Sequence, residues 1–364
     1  MPGRRMWRRP TVRVPGTRRM AVMGSTARLI DPRDPEWDRL VAAVPHDVYH
    51  LPSYVEVAAG HEGGVARAVL VQDAGRSMLL PLVIRDLGGG ATDATSPYGY
   101  PGPIGTDVED PDFLATALAH ASEALREVGA VTLFVRFHPM LNEVLPDGPG
   151  AIVDHGETVE IDLGRTSQEL WRQMRENHRR DIRRATHEGF TASLETDDRA
   201  LATFQDLYQE TMSRLDASSY YRFDAAHFGA LREALGERLW LVVVRAHGEP
   251  AAAGLFFREA GIVQYHLSGS DARHLRHQPT KLMIHAVTQW AKERGDSHVH
   301  LGGGVGSADD ALLHFKAGFS PLRRRFVTLR LVLDETEYQR RLGLATSDTG
   351  PSDASGYFPA YRRR

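Results

Sequence analysis

The chain has 364 residues, 25% of them charged and 42% hydrophobic, with a net charge of −3. That length accommodates two domains of ordinary size, and the near-neutral charge excludes a general polyanion binder, so nucleic-acid contact has to come from a local patch. There are no cysteines, which excludes disulfides, thiolate zinc sites and a cysteine nucleophile; no apolar run approaches the roughly 18 residues of a spanning helix, so the expected address is cytoplasmic, with peripheral membrane contact left open.

The first 24 residues hold seven arginines between Arg4 and Arg19 and no apolar core. They read as a basic disordered tail, not a secretory signal. A first unit is expected over 25–155. Its pattern predicts a hairpin, VARAVLVQ (65–72) and SMLLPLVIRDL (77–87) around a turn at Asp73–Arg76. The loop SPYGYPGPIG (96–105) follows, then a helix from Pro111 to Val128 ended by Gly129, then the strand AVTLFVRF (130–137).

A long helical block is expected over roughly 167–235, opened by a cap at Thr166 or Ser167 with Glu169 behind it. A second unit, 156–338, repeats the order of the first. The strands LWLVVVRA (239–246), AAAGLFF (251–257) and IVQYHLSG (262–269) form a meander. A helix at 279–294, the strand HVHLGG (298–303), a short helix at 308–317 and the strand FVTLRLVL (326–333) follow. Residues 339–364 read as a second disordered tail. Tight turns between the early strands exclude a doubly wound parallel sheet and predict a mixed α/β layer in each half.

The segment LGGGVGSADDALLHFKAGF (301–319) stands out. Lysine is scarce, at Lys281, Lys292 and Lys316 only. A lysine at 316 next to Phe315 and a glycine turn places a positive charge where an oxyanion develops, with Gly303 among the glycines that let a ligand approach the backbone. The alternative is a flexible loop with Lys316 solvated. In the 96–105 loop, Tyr98 and Tyr100 offer rings and hydroxyls to a cleft, or else pack a rigid turn. Residues 171–189 place Arg172, Arg175, Arg179 and Arg183 near one helix face, suited to phosphates, or else paired with Glu176, Asp181 and Glu188. On the strand ending at 269, alternation puts His266 and Ser268 on one face and Tyr265 on the other. His266 and Asp310 are the candidate bases. His298 and His300 share a face, but no carboxylate sits at ligand spacing, so no metal is expected.

Taken together, SPYGYPGP, the arginine-rich 171–190 block, YHLSGSD with the P-x-K-L-M helix, and LGGG…DALLHFKAGF resemble GNAT-like transferases of the Fem type over roughly residues 28–335. The resemblance implies two tandem GNAT-like mixed-sheet domains. It also implies an acyltransferase that forms an amide on an amine acceptor, a cell-wall precursor or a small metabolite, with aminoacyl-tRNA as donor and no cofactor. In that family a Phe-Lys pair lines the donor channel and its lysine steadies the tetrahedral intermediate; by position the pair falls on Phe315 and Lys316. Two rival functions remain at this level: an acyl-CoA-dependent N-acetyltransferase, and a non-catalytic module binding tRNA or phosphate. Acyl-CoA enzymes of the superfamily hold pyrophosphate on a glycine-rich turn before their main helix. Here that place reads RHQPTKL (276–282), and its proline removes a donor N–H.

Overall fold

The computed structural model describes residues 25–218, 221–304, 310–343 and 356–363. The basic tail at 1–24, residues 305–309 of the glycine turn and residues 344–355 of the C-terminal tail lie outside the described residues.

The first half runs β1 (Thr26–Ile30), α1 (Pro35–Ala43), α2 (Pro52–Glu62), β2 (Val65–Asp73), β3 (Arg76–Gly88), β4 (Ala91–Thr95), β5 (Ile104–Thr106), α3 (Pro111–Glu127), β6 (Ala130–Arg136) and β7 (Ala151–Asp162). The second half runs α4 (Ser167–Gln173), α5 (Glu176–His187), β8 (Phe190–Glu195), α6 (Asp198–Arg214), α7 (Ala225–Leu235), β9 (Leu239–Ala246), β10 (Glu249–Glu259), β11 (Ile262–Ser270), α8 (Pro279–Glu293), β12 (His298–Gly302), α9 (Ala311–Lys316), β13 (Leu322–Val332) and α10 (Glu335–Leu342). Proline occupies the first turn of α1, α2, α3 and α8, where its missing N–H costs nothing and its fixed φ suits the helix.

The two halves repeat one order: strand, two helices, three meandering strands, a crossover helix and a strand. In each, the crossover helix makes a parallel pairing, β4 with β6 and β11 with β12. The sheet runs β1-β2-β3-β4-β6-β13-β7-β12-β11-β10-β9-β8, with β5 beside β3. The last strand of each half is exchanged: β7 pairs with β12 and β13 pairs with β6, while β7 and β13 pair with each other. One continuous sheet results. β2 shows why its sequence is nearly all apolar: Val69 and Val71 pack toward α3, and Ala66, Ala68 and Leu70 pack in the core that holds Trp37 and Val55 of α1 and α2. Both faces are covered, so both lose water.

Three expectations are corrected. The helical block 167–235 contains β8, an edge strand paired with β9; Gly189 at φ +81° ends α5 and turns the chain into it. The basic helix of 171–189 is two helices. It breaks at Met174–Arg175, where the Met174 side chain is buried in the core and the Arg175 N–H goes to the Gly318 carbonyl at 2.8 Å. The C-terminal tail is ordered over 339–342, inside α10, and over 356–363. There Phe358 packs against Phe134, and Arg362 and Tyr361 bond the buried Asp93 carboxylate.

Candidate active site

β11 and β12 pair only from Ile262–His298 to Gln264–His300. Past that point they part, and a cavity of about 930 Å³ opens between the two halves. A β-bulge in β11 sits at the opening. Phe256 pairs with Tyr265 and Leu255 with Leu267, which leaves His266 without a partner on β10. The bulge breaks the two-residue alternation. The Tyr265 hydroxyl therefore meets the Ser268 hydroxyl, where simple alternation had grouped Ser268 with His266.

Lys316 ends α9. The Asp310 carboxylate caps that short helix by accepting the Leu313 N–H at 2.8 Å. The Lys316 side chain turns into the cavity, buried, and its Nζ donates to the Gly303 carbonyl at 2.7 Å. The Tyr265 ring lies beneath it at 5.5 Å. Burial pushes the Lys316 ammonium down to about 7, with the Asp310 charge opposing. Gly302 sits at φ +72°, and a Cβ there would lie 3.3 Å from the Tyr100 hydroxyl and 3.5 Å from Lys316 Nζ. The left-handed φ is what favours glycine here. Phe315 turns its carbonyl to the His178 ring, at 2.9 Å from Nε2; burial holds His178 down at about 4, so the ring is a neutral donor.

The 96–105 loop is a built wall. The Tyr54 hydroxyl donates to the Tyr98 carbonyl at 2.7 Å, His50 Nε2 to the Gly102 carbonyl at 3.2 Å and Asn142 Nδ2 to the Pro103 carbonyl at 2.8 Å. Gly102 is required there, because a Cβ would overlap Asn142 Oδ1. The Tyr100 ring is packed edge-on by His300, Phe326 and Tyr49. Burial pushes its phenol up to about 12, and a hydrogen bond with the Gly303 backbone pulls the other way. His266 faces the same cavity against Phe257 and Tyr98, with its Nε2 buried and without a hydrogen-bond partner; burial lowers it to about 3.

Tyr98, Tyr100, Tyr265, His266, Ser268, Gly303, Phe315 and Lys316 thus line one cavity. Asp310 is not in its lining and acts through α9. Arg179 and Arg183 are also outside it: Arg179 donates to the Arg172 carbonyl at 2.7 Å, and Arg183 stacks over Trp171 at 5.1 Å. Arg175 ties α5 to α9 through the His314 carbonyl at 3.0 Å. Arg180 and Arg184 share Asp181, which also takes Lys281 Nζ at 2.7 Å.

The cavity also contains groups the sequence did not announce: Arg136, His155 with its Nε2 2.8 Å from the Thr328 hydroxyl, and Tyr357 from the docked tail. Long-range strand pairing and the docking of the tail bring these together. At the start of α8, Gln278 is left-handed at φ +55°, Pro279 has no N–H, and the Lys281 N–H is taken by the Gln278 carbonyl at 3.0 Å. Among the described residues no cluster of three or more His, Asp or Glu is placed to hold a metal ion, and no helix is long and apolar enough to cross a membrane.

The acetyltransferase (GNAT) domain family matches residues 172–316. No curated protein sequence matches the chain significantly. Among solved structures, FemX is similar at 15% identity and a TM-score of 0.65, over 86% of this chain and 99% of that one. The C-terminal domain of a putative lysylphosphatidylglycerol synthetase from Agrobacterium fabrum is similar at 15% identity and 0.54, over 85% and 94%. The L-PGS of Bacillus licheniformis follows at 16% and 0.52, over 83% and 92%. These likenesses establish the fold: two GNAT-like halves in tandem, with the open cleft of the GNAT domain at the parting of β11 and β12. In the first half the corresponding gap beyond β4 and β6 is closed by the loop after β4. There the Ser96 N–H bonds the Phe134 carbonyl and the Ser96 hydroxyl accepts the Arg136 N–H.

Proposed function

We propose that the protein transfers an aminoacyl group from aminoacyl-tRNA to an amine, forming an amide on a cell-wall precursor or a small metabolite. The observation that carries this reading is the buried Lys316 aimed into the cavity beside Tyr100 and Gly303. The acceptor nitrogen attacks the ester carbonyl carbon, and the carbonyl oxygen becomes an oxyanion. Lys316 in its charged form stabilises that oxyanion. Collapse breaks the ester C–O bond, the nitrogen gives up a proton, and the ribose hydroxyl leaves protonated. The cavity walls hold donor and acceptor together, which supplies the positioning.

The start of α8 favours this donor over acyl-CoA. A pyrophosphate cradle needs free N–H groups at a helix N-terminus. Here Pro279 lacks one, the Lys281 N–H is engaged, and the Lys281 amine is neutralised by Asp181. The arginines of α4 and α5, joined to α9 through Arg175, supply a positive surface for RNA phosphates. FemX and the lysylphosphatidylglycerol synthetases share this fold.

The test is to incubate the full chain with labelled aminoacyl-tRNA and, separately, labelled acetyl-CoA, each with a panel of amines. RNase-sensitive label transfer from the tRNA supports the reading. Transfer from acetyl-CoA alone replaces it with the N-acetyltransferase. Salt-sensitive RNA binding with no transfer leaves a non-catalytic module.

A further inference from the structure

A buried polar chain crosses the interface between the halves. Asp47, His138, Gln264, His300 and Thr158 are each at most 1% exposed. Gln264 Nε2 donates to Asp47 Oδ2 at 2.6 Å, although the two residues stand 217 apart in the chain. His138 Nε2 lies 2.9 Å from the same oxygen, and Asp47 Oδ1 takes the Val48 N–H at 2.6 Å. At its far end His300 sits 2.7 Å by Nδ1 from Gln264 Oε1 and 2.9 Å by Nε2 from the Thr158 hydroxyl.

These bonds fix the protons. His138 Nδ1 accepts the N–H groups of Met140 and Leu141, so its proton is on Nε2, aimed at Asp47. Both Asp47 oxygens already accept, Oδ1 from Val48 and Oδ2 from His138, so the Gln264 amide turns its NH₂ toward Oδ2. Gln264 Oε1 then faces His300 and demands an N–H at Nδ1, which leaves Nε2 an acceptor for the Thr158 hydroxyl proton, at 2.9 Å, in competition with the Arg324 carbonyl at 3.2 Å. The groups around His300 oppose a second proton: Lys316, Arg324 and His138 disfavour it, Glu160 alone favours it, and burial outweighs all of them. His300 packs edge-on against Tyr100 at 5.2 Å and lies on β12 just before Gly302, its last residue, and Gly303, which follows it. It therefore stands directly behind the groups that hold Lys316.

We propose that Asp47 is a positioning residue of the transfer site: its carboxylate, through Gln264, fixes His300 as the Nδ1–H tautomer and so sets the wall that aligns Tyr100, Gly303 and Lys316. A buried amide chain has two polarities, and an end whose oxygens accept selects one of them. The inference rests on the acyl-transfer reading for its consequence, but its first test does not need that reaction.

The experiment is ¹⁵N NMR on histidine-labelled full-length protein, with the His300 signals assigned by their loss in His300→Asn. The wild type shows pyrrole-type nitrogen at Nδ1 and pyridine-type at Nε2. Asp47→Asn removes the obligate acceptor, and in folded protein the proton moves to Nε2. Gln264→Leu produces the same move from the other side and keeps the test alive should the Asp47→Asn variant not fold. Thr158→Val, which removes the partner of Nε2 and the hydroxyl beside the Arg324 carbonyl but leaves Asp47 and Gln264 in place, keeps the proton on Nδ1. Retention of the Nδ1–H tautomer in both Asp47→Asn and Gln264→Leu overturns the proposal, whatever the donor proves to be. In the transfer assay, misalignment of this wall lowers kcat by roughly tenfold to a hundredfold with KM kept; a KM rise with kcat unchanged overturns the assigned role.

Discussion

Lys316 donates a hydrogen bond from its buried ammonium to the Gly303 carbonyl at 2.7 Å. The two residues are 13 apart in the chain, separated by the glycine turn, and meet where β12 ends and α9 ends. The bond closes this segment into a loop, and it brings the one lysine that lines the cavity to the parting of β11 and β12. An ammonium held by one neutral acceptor in a buried wall keeps most of its charge available to a ligand, and it also gives up its proton easily.

The first prediction follows from that burial. With three lysines in the chain, ¹³C-labelled lysine gives three resolvable Cε signals. One of them titrates near 7, and Lys316→Met removes it. Because the folded value lies below the ordinary lysine value, Lys316 is charged below about pH 7 and neutral above it. Turnover that needs the charged form declines as pH rises through 7. Titration of all three signals at ordinary lysine values contradicts the environment described.

Lys316→Ala should fold and lose about 10²–10³ in kcat, the usual loss on removing one oxyanion donor. Circular dichroism checks the fold and single-turnover transfer checks the chemistry. Near-normal turnover removes Lys316 from its assigned role.

Asp310→Ala tests the cap. It removes the acceptor for the Leu313 N–H and should cost about 1 kcal/mol of stability. It should also lower turnover by less than Lys316→Ala does, since the lysine remains. The lost Asp310 charge moves the Lys316 titration further down, and an upward move is the contrary result.

Gly102→Ala addresses the loop wall. The added Cβ overlaps Asn142 Oδ1 and comes within 2.7 Å of the His138 backbone nitrogen, neither of which yields freely in a buried network. The expected result is a loss of roughly 1–3 kcal/mol, as for other overpacked sites, together with reduced transfer, because Tyr98 and Tyr100 ride on this loop. Gly148→Ala, which meets open space, is the control.

Acid lability should centre on the buried histidines. Burial holds His50 and His266 at about 3 and His178 and His227 at about 4. Each folded value is below the ordinary 6.5, so the unfolded chain binds more protons as pH falls. Their contribution is intact above about 6.5 and is lost progressively between 6.5 and 3–4. Urea midpoints measured from pH 7.5 to 4 should fall steadily, and a flat profile runs against this assignment.

Much of this protein was legible in its residues. The repeat of hairpin, helix and strand, the crossover helices opened by Pro111 and Pro279, and Lys316 beside a glycine turn follow from local chemistry, because turns, caps and periodicity are properties of neighbours in the chain. What needed the tertiary structure involves partners far apart. The bulge that leaves His266 unpaired depends on register with β10. The exchange of β7 and β13 depends on strands about 170 residues apart, as Thr158 and Arg324 show. The break at Met174–Arg175 depends on the Gly318 carbonyl, and a helical arginine pattern carries no sign of it. The Asp47–Gln264 bond is the extreme case: nothing near Asp47 marks its partner. Hydrogen-bonding groups become specific only when burial removes water as their alternative.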